Sequence, residues 1–253
     1  MTTRLIPGAL TGKRVLVTGS SRGIGADTAL IFANAGAKVV ITYRDKEKRA
    51  QAIAEKAKSA GSEALIVQVD LTDPTSVSEM FETIRSAWGG LDILVLNASG
   101  GMESGKGEGY ALLLNRDSQV NVLTSALPLL QAESRVVFVT SHQAHFINSV
   151  PTMPEYEPVA RSKRAGEDAL RAMIPQLTDL GIGFVVVSGD MIEGTITALL
   201  LERLNPEAIT TRRESSGKLY NVAEFAAEVA AAAVDPIPKD NIRLVGDTSD
   251  FTS

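Results

Sequence analysis

The chain has 253 residues, of which 44% are hydrophobic and 22% charged, a composition typical of a globular protein with a sizeable core. The formal net charge of −5 argues against a general nucleic-acid binder, and no run approaches the ~20 apolar residues of a membrane span. Cysteine is absent, so we expect no disulfides and no metal site. The first apolar run is too short for a signal peptide. We therefore expect a soluble cytoplasmic protein without nucleic-acid or membrane partners.

Seven short apolar runs alternate with longer segments of helical periodicity. The runs are rich in Val, Ile and Leu without apolar–polar alternation, which is typical of strands buried on both faces of a parallel sheet. The predicted strands are residues 14–18, 37–43, 64–70, 91–97, 134–141, 182–188 and 241–245. Their alternation with helices predicts right-handed crossovers and helices on both faces of one sheet.

Residues typical of helix starts and helix ends lie between these elements and support the same organisation. Asp73 and Pro74 fit the N-cap and first position of a helix, and Gly36 fits a helix stop. No linker rich in Pro, Gly or Ser divides the chain. We therefore expect a single α/β domain over residues 1–253, with a doubly wound parallel sheet of about seven strands.

A glycine-rich turn follows the first predicted strand and opens the first helix. Its sequence is Thr18-Gly19-Ser20-Ser21-Arg22-Gly23-Ile24-Gly25. Glycine lets the backbone turn tightly and approach a pyrophosphate, which the positive N-terminus of the following helix attracts. A turn with this context predicts a dinucleotide-binding site.

The Gly-x-x-x-Gly-x-Gly spacing after Thr18 resembles that of the short-chain dehydrogenase/reductase family, and the resemblance spans nearly the whole chain. It implies a Rossmann fold in which Asp70-Leu71 contacts adenine. Gly189 is kept from the family's Pro-Gly after the sixth strand, and Thr195 takes the place of its carboxamide contact by a shift of two residues. The cofactor contacts that the resemblance implies are Gly19, Ser21, Arg22, Gly23, Ile24, Gly25, Asp70, Leu71, Asn97, Ala98, Ser99, Lys163, Gly189 and Thr195.

The end of the second predicted strand bears on the choice of cofactor. A carboxylate there would bind the 2′-hydroxyl of NAD, but this chain has Tyr43 and Arg44. With Arg22 in the glycine turn, two guanidinium groups favour a 2′-phosphate and therefore NADP(H). In the alternative interpretation, Arg44 begins a solvated helix.

The catalytic residues of the family are matched only in part. Ser141 matches the serine that binds the substrate carbonyl, Lys163 the lysine that holds the nicotinamide ribose, and Asn121 the asparagine of the water chain. The family's tyrosine, four residues before the lysine, is replaced by Val159, which cannot donate a proton.

Four proton donors are open from the sequence. Tyr156 lies seven residues before the lysine, in a segment about five residues longer than usual, where a loop tyrosine could supply the missing hydroxyl. His142 and His145 follow Ser141, and histidine titrates near neutrality. Water is the fourth donor.

Residues 190–217 are expected to form a substrate lid, since insertions at this edge of such sheets carry binding function. In it, Arg212-Arg213 could meet an acidic substrate or simply be solvated. The family resemblance also implies a homo-oligomer, a dimer or a tetramer, and the apolar run 122–130 is a candidate for its interface.

The leading hypothesis is an NADP(H)-dependent oxidoreductase of ketoreductase type that reduces a carbonyl or oxidises an alcohol with an atypical proton donor. The alternatives are a cofactor-binding protein without turnover, such as a sensor or partner subunit, and a redox-neutral enzyme on the same fold. The substrate would be a small carbonyl compound or alcohol.

Overall fold

The computed structural model describes residues 5–103, 105–107 and 109–252. Its centre is one parallel sheet of seven strands in the order β3-β2-β1-β4-β5-β6-β7. The strands are β1 Arg14–Val17, β2 Lys38–Tyr43, β3 Ala64–Gln68, β4 Leu91–Leu96, β5 Leu130–Ser141, β6 Gly183–Gly189 and β7 Ile242–Val245. Each predicted strand is confirmed, and the ends differ from the prediction by at most four residues.

Helices connect the strands and cover both faces of the sheet. They are α1 Gly23–Asn34, α2 Glu47–Ser59, α3 Pro74–Trp88, α4 Tyr110–Leu112, α5 Ser118–Ala126, α6 His142–His145, α7 Glu157–Arg171, α8 Ile174–Asp179, α9 Ile196–Leu204, α10 Ala208–Ser216, α11 Val222–Ala232 and α12 Ser249–Thr252. A π-helical turn, Leu113–Asp117, joins α4 to α5. None of the described helices is long and apolar enough to cross a membrane.

Two apolar layers hold the helices against the sheet, because successive strand side chains point to opposite faces. On one face, Val15 and Val17 pack in a cluster with Phe32 of α1 and Phe225 of α11. On the other, Leu16 belongs to a cluster of strand side chains and side chains of α3 and α5. All of these side chains are fully or almost fully buried, and the arrangement is the predicted single-domain Rossmann-like fold.

The predicted helix ends are confirmed. The carboxylate of Asp73 accepts a hydrogen bond of 2.9 Å from the Thr75 amide, and Pro74 occupies the first turn of α3. Gly36 follows α1 with a φ of 91°, a left-handed conformation that a side chain would oppose.

Strand β5 begins four residues before its predicted start. The chain bulges between its pairings with Leu91 and Ile93, and Glu133 there has a φ of 71°. The Ser134 hydroxyl donates to the carbonyl of Leu91 at 3.2 Å, which stabilises the bulge. Because the sequence at this bulge is polar, the pattern of apolar residues did not predict that the strand begins at Leu130.

Candidate active site and cofactor cleft

A cleft of about 680 Å³ lies at the carboxyl ends of the strands. The strand order reverses between β1 and β4, and ligands of doubly wound sheets bind at such a switch point. The structure brings most of the predicted site residues together in its lining. These are Gly19, Ser21, Arg22, Gly23, Ile24, Gly25, Tyr43, Arg44, Asp70, Leu71, Asn97, Ala98, Ser99, Ser141, Tyr156, Lys163 and Thr195.

The glycine turn fits the pyrophosphate of a dinucleotide. Gly19 has a φ of 67°, and a Cβ at Gly25 would lie only 2.5 Å from the Gly19 carbonyl oxygen. The first turn of α1 lines the cleft, and no side chain caps that helix at Arg22. Its amide groups are therefore available to an anion, which the helix dipole also favours.

Hydroxyl groups of neighbouring strands fix the shape of this turn. Thr42 accepts a hydrogen bond from the Gly19 amide at 2.9 Å, and its own amide donates to the Ser20 hydroxyl at 2.9 Å. The Thr18 hydroxyl accepts from the amides of Asn97 and Ala98, each at 3.0 Å. The sequence analysis missed Thr42, although a threonine inside an otherwise apolar strand was the available signal.

Positive charge concentrates beyond the end of β2. Arg22, Arg44, Lys46 and Arg49 all line the cleft there. The Arg44 guanidinium donates to Asp45 at 2.9 Å and to the Tyr110 hydroxyl at 2.8 Å, and these bonds hold its pKa above the ordinary value. This end of the cleft suits a phosphate group.

Asp70 lies at the same end of the cleft. Its carboxylate accepts two hydrogen bonds from Thr72, from the amide at 2.9 Å and from the hydroxyl at 2.7 Å. Burial raises the pKa of Asp70, but these hydrogen bonds and the charges of Arg44 and Lys106 outweigh burial and keep that pKa below its usual range. The Asp70 carboxylate is therefore negatively charged and held in place by Thr72.

The opposite end of the cleft gathers the candidate catalytic side chains. Ser141 ends β5, and Tyr156 immediately precedes α7 with 5% of its surface exposed. The hydroxyl oxygens of these two residues are 3.3 Å apart. Lys163 is 9% exposed and lines the same part of the molecule. Two hydroxyl groups thus lie side by side in a cleft that Lys163 also lines.

The side chain of His142 makes hydrogen bonds within the fold and does not line the cleft. Its Nε2 is 3.1 Å from the carbonyl oxygen of Val245, so Nε2 must carry the proton, and Nδ1 then accepts from the Ser188 hydroxyl at 2.8 Å. Burial lowers the pKa of His142 to about 4. The ring is therefore neutral near pH 7 and ties β5 to β6 and β7.

His145 is also engaged away from the cleft. Its Nδ1 lies 2.7 Å from the carboxylate of Glu167, a fully buried residue of α7. The described residues include no group of three or more potential ligand side chains that could hold a metal ion. Neither histidine lines the cleft.

Comparison with known proteins identifies the family. The family model of the short chain dehydrogenases matches residues 13–204. This chain is a short-chain dehydrogenase/reductase. A short-chain dehydrogenase/reductase of Pestalotiopsis microspora is 30% identical over 201 residues, covering 77% of this chain and 73% of that protein.

Solved structures of short-chain dehydrogenase/reductases share the architecture over almost the entire chain. A short chain dehydrogenase from Burkholderia cenocepacia in complex with NADP has a TM-score of 0.76 at 26% identity, covering 94% of this chain and 98% of that one. The landomycin C-6 ketoreductase with bound NADP and rabelomycin has a TM-score of 0.71 at 27% identity, covering 90% of this chain and 91% of that one.

In this short-chain dehydrogenase/reductase, Val159 does not line the cleft. It is 5% exposed and belongs to an apolar cluster with Ala160 and Met102. Gly101 has a φ of 117°, and a Cβ there would lie 3.2 Å from a methyl group of Val159. The glycine-rich segment after β4 therefore covers this position.

The predicted role of Asn121 stays a prediction, and a second asparagine, Asn115, lies close to the candidate site. The side-chain nitrogen of Asn121 is buried and finds no hydrogen-bond partner among the described residues. Asn115, in the π-helical turn, donates to the Gly100 carbonyl at 2.8 Å and to the Ser162 hydroxyl at 2.9 Å. It thus braces α7 one residue before Lys163. A polar residue after three consecutive leucines was the signal that the sequence analysis overlooked.

Gly189, a predicted cofactor contact, is not in the lining of the cleft. A Cβ there would lie 2.3 Å from the ring of Phe225, so the glycine makes room for that ring. Phe225 itself lines the cleft. Thr195 does line it, but the Thr195 hydroxyl also caps α9 and donates to the Ile192 carbonyl at 2.8 Å.

A second cavity of about 470 Å³ adjoins the cleft and shares Gln143, Met153 and Met191 with its lining. Residues of α10 and α12 form its far side. Arg212 borders it and binds Asp190 at 2.7 Å and also Asp250. Arg213 pairs with Glu193. Both arginines are thus committed to neighbouring carboxylates rather than presented to an acidic substrate.

Proposed function

We propose that this short-chain dehydrogenase/reductase is an NADP(H)-dependent carbonyl reductase of ketoreductase type, with Tyr156 as its proton donor. The observation that carries the proposal is the 3.3 Å separation between the hydroxyl oxygens of Tyr156 and Ser141 in the cleft that Lys163 also lines. A carbonyl oxygen between the two hydroxyls would accept from both. This is the geometry that general acid catalysis requires.

NADPH, when bound, would supply the hydride that reduces the carbonyl carbon. The Ser141 hydroxyl would orient the carbonyl oxygen, and Tyr156 would donate its proton to that oxygen. The ammonium group of Lys163 favours the negative charge that then develops at this end of the cleft. Asn115 would hold Lys163 in place through its bond to Ser162.

The choice of NADP(H) over NAD(H) rests on charge. Arg22 and Arg44 would bind the 2′-phosphate, with Lys46 and Arg49 adding positive charge nearby. Asp45, the carboxylate nearest to them in sequence, is paired with Arg44. The Burkholderia cenocepacia dehydrogenase and the landomycin ketoreductase, both crystallised with NADP, support the same choice.

The second cavity is the proposed site for the remainder of the substrate. It is reached past Met153 and Met191, and it contains apolar side chains together with Gln143 and Thr152. Residues 190–217 cover it as the proposed lid. A ketone with an extended apolar body fits such a compartment better than a small charged one, since Arg212 in its lining is already paired with Asp190.

Tyr156→Phe tests the proposal because it removes one hydroxyl and keeps the ring that packs in the apolar cluster. With NADPH and a panel of ketones, we expect turnover to fall roughly a hundredfold or more, the usual effect of losing a general acid, while the Kd of NADPH stays unchanged. Tyr220→Phe, a tyrosine outside the cleft lining, is the matched control and should keep wild-type turnover.

The contrary outcomes separate the rival functions. If Tyr156→Phe keeps the wild-type rate and His145→Gln loses it, a histidine is the donor. If the wild-type protein binds NADPH but consumes none with any ketone or alcohol, the protein is a cofactor-binding module or a redox-neutral enzyme.

A further inference from the structure

Tyr110 bridges the two sides of the cleft at its phosphate end. It is the first residue of α4, after the glycine-rich segment, and it lines the cleft. Its hydroxyl accepts a hydrogen bond of 2.8 Å from Nη1 of Arg44, which lies just beyond β2. The ammonium group of Lys106 lies 4.7 Å from the centre of the tyrosine ring. No motif of the sequence pointed to this contact.

The contact fixes the orientation of the Arg44 guanidinium. Nε is bound to Asp45 at 2.9 Å and Nη1 to Tyr110, whereas no described residue accepts from Nη2. The Arg44 side chain is 40% exposed, and an arginine at such a position otherwise samples many rotamers. Because Nε and Nη1 are both held by hydrogen bonds, Nη2 is held in one orientation.

We infer that Tyr110 is a positioning residue for cofactor selection: it holds Arg44 ready for the 2′-phosphate and so raises the preference for NADPH over NADH. The inference rests on the proposed NADP(H) function. A guanidinium held in its binding orientation loses less conformational entropy when the phosphate arrives. NADH has no 2′-phosphate, so its affinity should not depend on Tyr110.

Tyr110→Phe is the informative substitution. The ring packs against the core cluster beside α3 and α5, and phenylalanine keeps that packing while removing the hydroxyl. Titration by cofactor fluorescence should show NADPH binding weakened roughly five- to tenfold, as for one hydrogen bond to a charged group, with NADH binding unchanged. Tyr220→Phe is again the matched control, and it should leave both affinities unchanged.

A double-mutant cycle with Arg44→Gln tests whether Tyr110 acts through Arg44. In the Arg44→Gln background, Tyr110→Phe should have no further effect on the affinity for NADPH. An equal loss in both backgrounds would overturn the positioning role, because Tyr110 would then act on the cofactor directly.

The wild-type titration separates this inference from the proposed function. Equal wild-type affinities for NADPH and NADH would overturn the proposed cofactor choice and the inference with it. A wild-type preference for NADPH that Tyr110→Phe fully retains would overturn the inference alone.

Discussion

The side chain of Tyr156 lines the cleft and that of Val159 does not, and helix geometry gives the reason. Residues seven apart share a helix face, so Tyr156 and Lys163 both line the cleft. Val159 is rotated roughly 60° around the helix from Tyr156 at 3.6 residues per turn, and it packs under Gly101. The Tyr156 hydroxyl thus reaches the cleft from about one helical turn before Val159.

His142 gives a pH-dependent prediction at the scale of a single residue. Burial lowers its pKa to about 4, whereas an unfolded chain has the ordinary histidine value of about 6.5. Between these two values the unfolded chain binds a proton that the folded protein does not. The free energy of unfolding should therefore fall as the pH drops through this window, by up to about 1.4 kcal/mol per pH unit from this residue.

Urea unfolding at several pH values between about 4 and 7.5 checks the His142 prediction. His142→Gln should flatten this part of the pH dependence, and His145→Gln should retain it. Equal slopes for wild type and His142→Gln would show that the buried ring is not responsible.

At the scale of elements, Arg212 links α10 to two other parts of the domain. Arg212 binds Asp190 after β6 and Asp250 of α12, and its guanidinium carbon lies 4.7 Å from the centre of the Phe251 ring. Its side chain is only 14% exposed, so these interactions are less screened than those of surface pairs. The proposed lid is thereby tied to the C-terminal helix.

Asp250→Asn should loosen α10 without disturbing the phosphate end of the cleft. We expect the KM for a ketone to rise several-fold, limited proteolysis between α9 and α10 to accelerate, and the Kd of NADPH to stay constant. Glu193→Gln removes the exposed pair of Arg213 on the same helix and should change each measurement less. Equal effects of the two substitutions would contradict the assigned role of Arg212.

For the whole molecule, the apolar run 122–130 belongs to the core of its own chain. Val122, Leu123, Ala126, Leu129 and Leu130 are all buried against the sheet and α3. The run is therefore no argument for a subunit interface. The expectation of a homo-oligomer rests on the family resemblance alone.

Light scattering at micromolar concentration tests the assembly. A dimer or tetramer mass is the expected result, and it should persist in the Tyr156→Phe and Tyr110→Phe variants, since both sites lie in the cleft. A strictly monomeric mass at that concentration would refute the expectation.

The sequence by itself determined the fold and most of the cofactor cleft. Buried parallel strands are continuous apolar runs, and the glycine turn depends on backbone conformations that few other residues adopt. Both features can therefore be predicted from residues that are neighbours in the sequence. Arg22 and Arg44 could be predicted as cofactor-binding residues because each lies close to the end of a predicted strand. Local chemistry was sufficient for these features.

Only the tertiary structure decided the arrangement of the candidate catalytic residues, because their contacts join residues far apart in the chain. The Tyr156 hydroxyl lies beside that of Ser141, 15 residues earlier, and the ring of His142 is bound to the carbonyl of Val245, 103 residues away. Asn115 contacts Ser162, 47 residues later, which no spacing rule of the sequence indicated. Gly189 makes room for the ring of Phe225 of α11. Such contacts depend on how the elements pack, so residue types and spacings alone do not specify them.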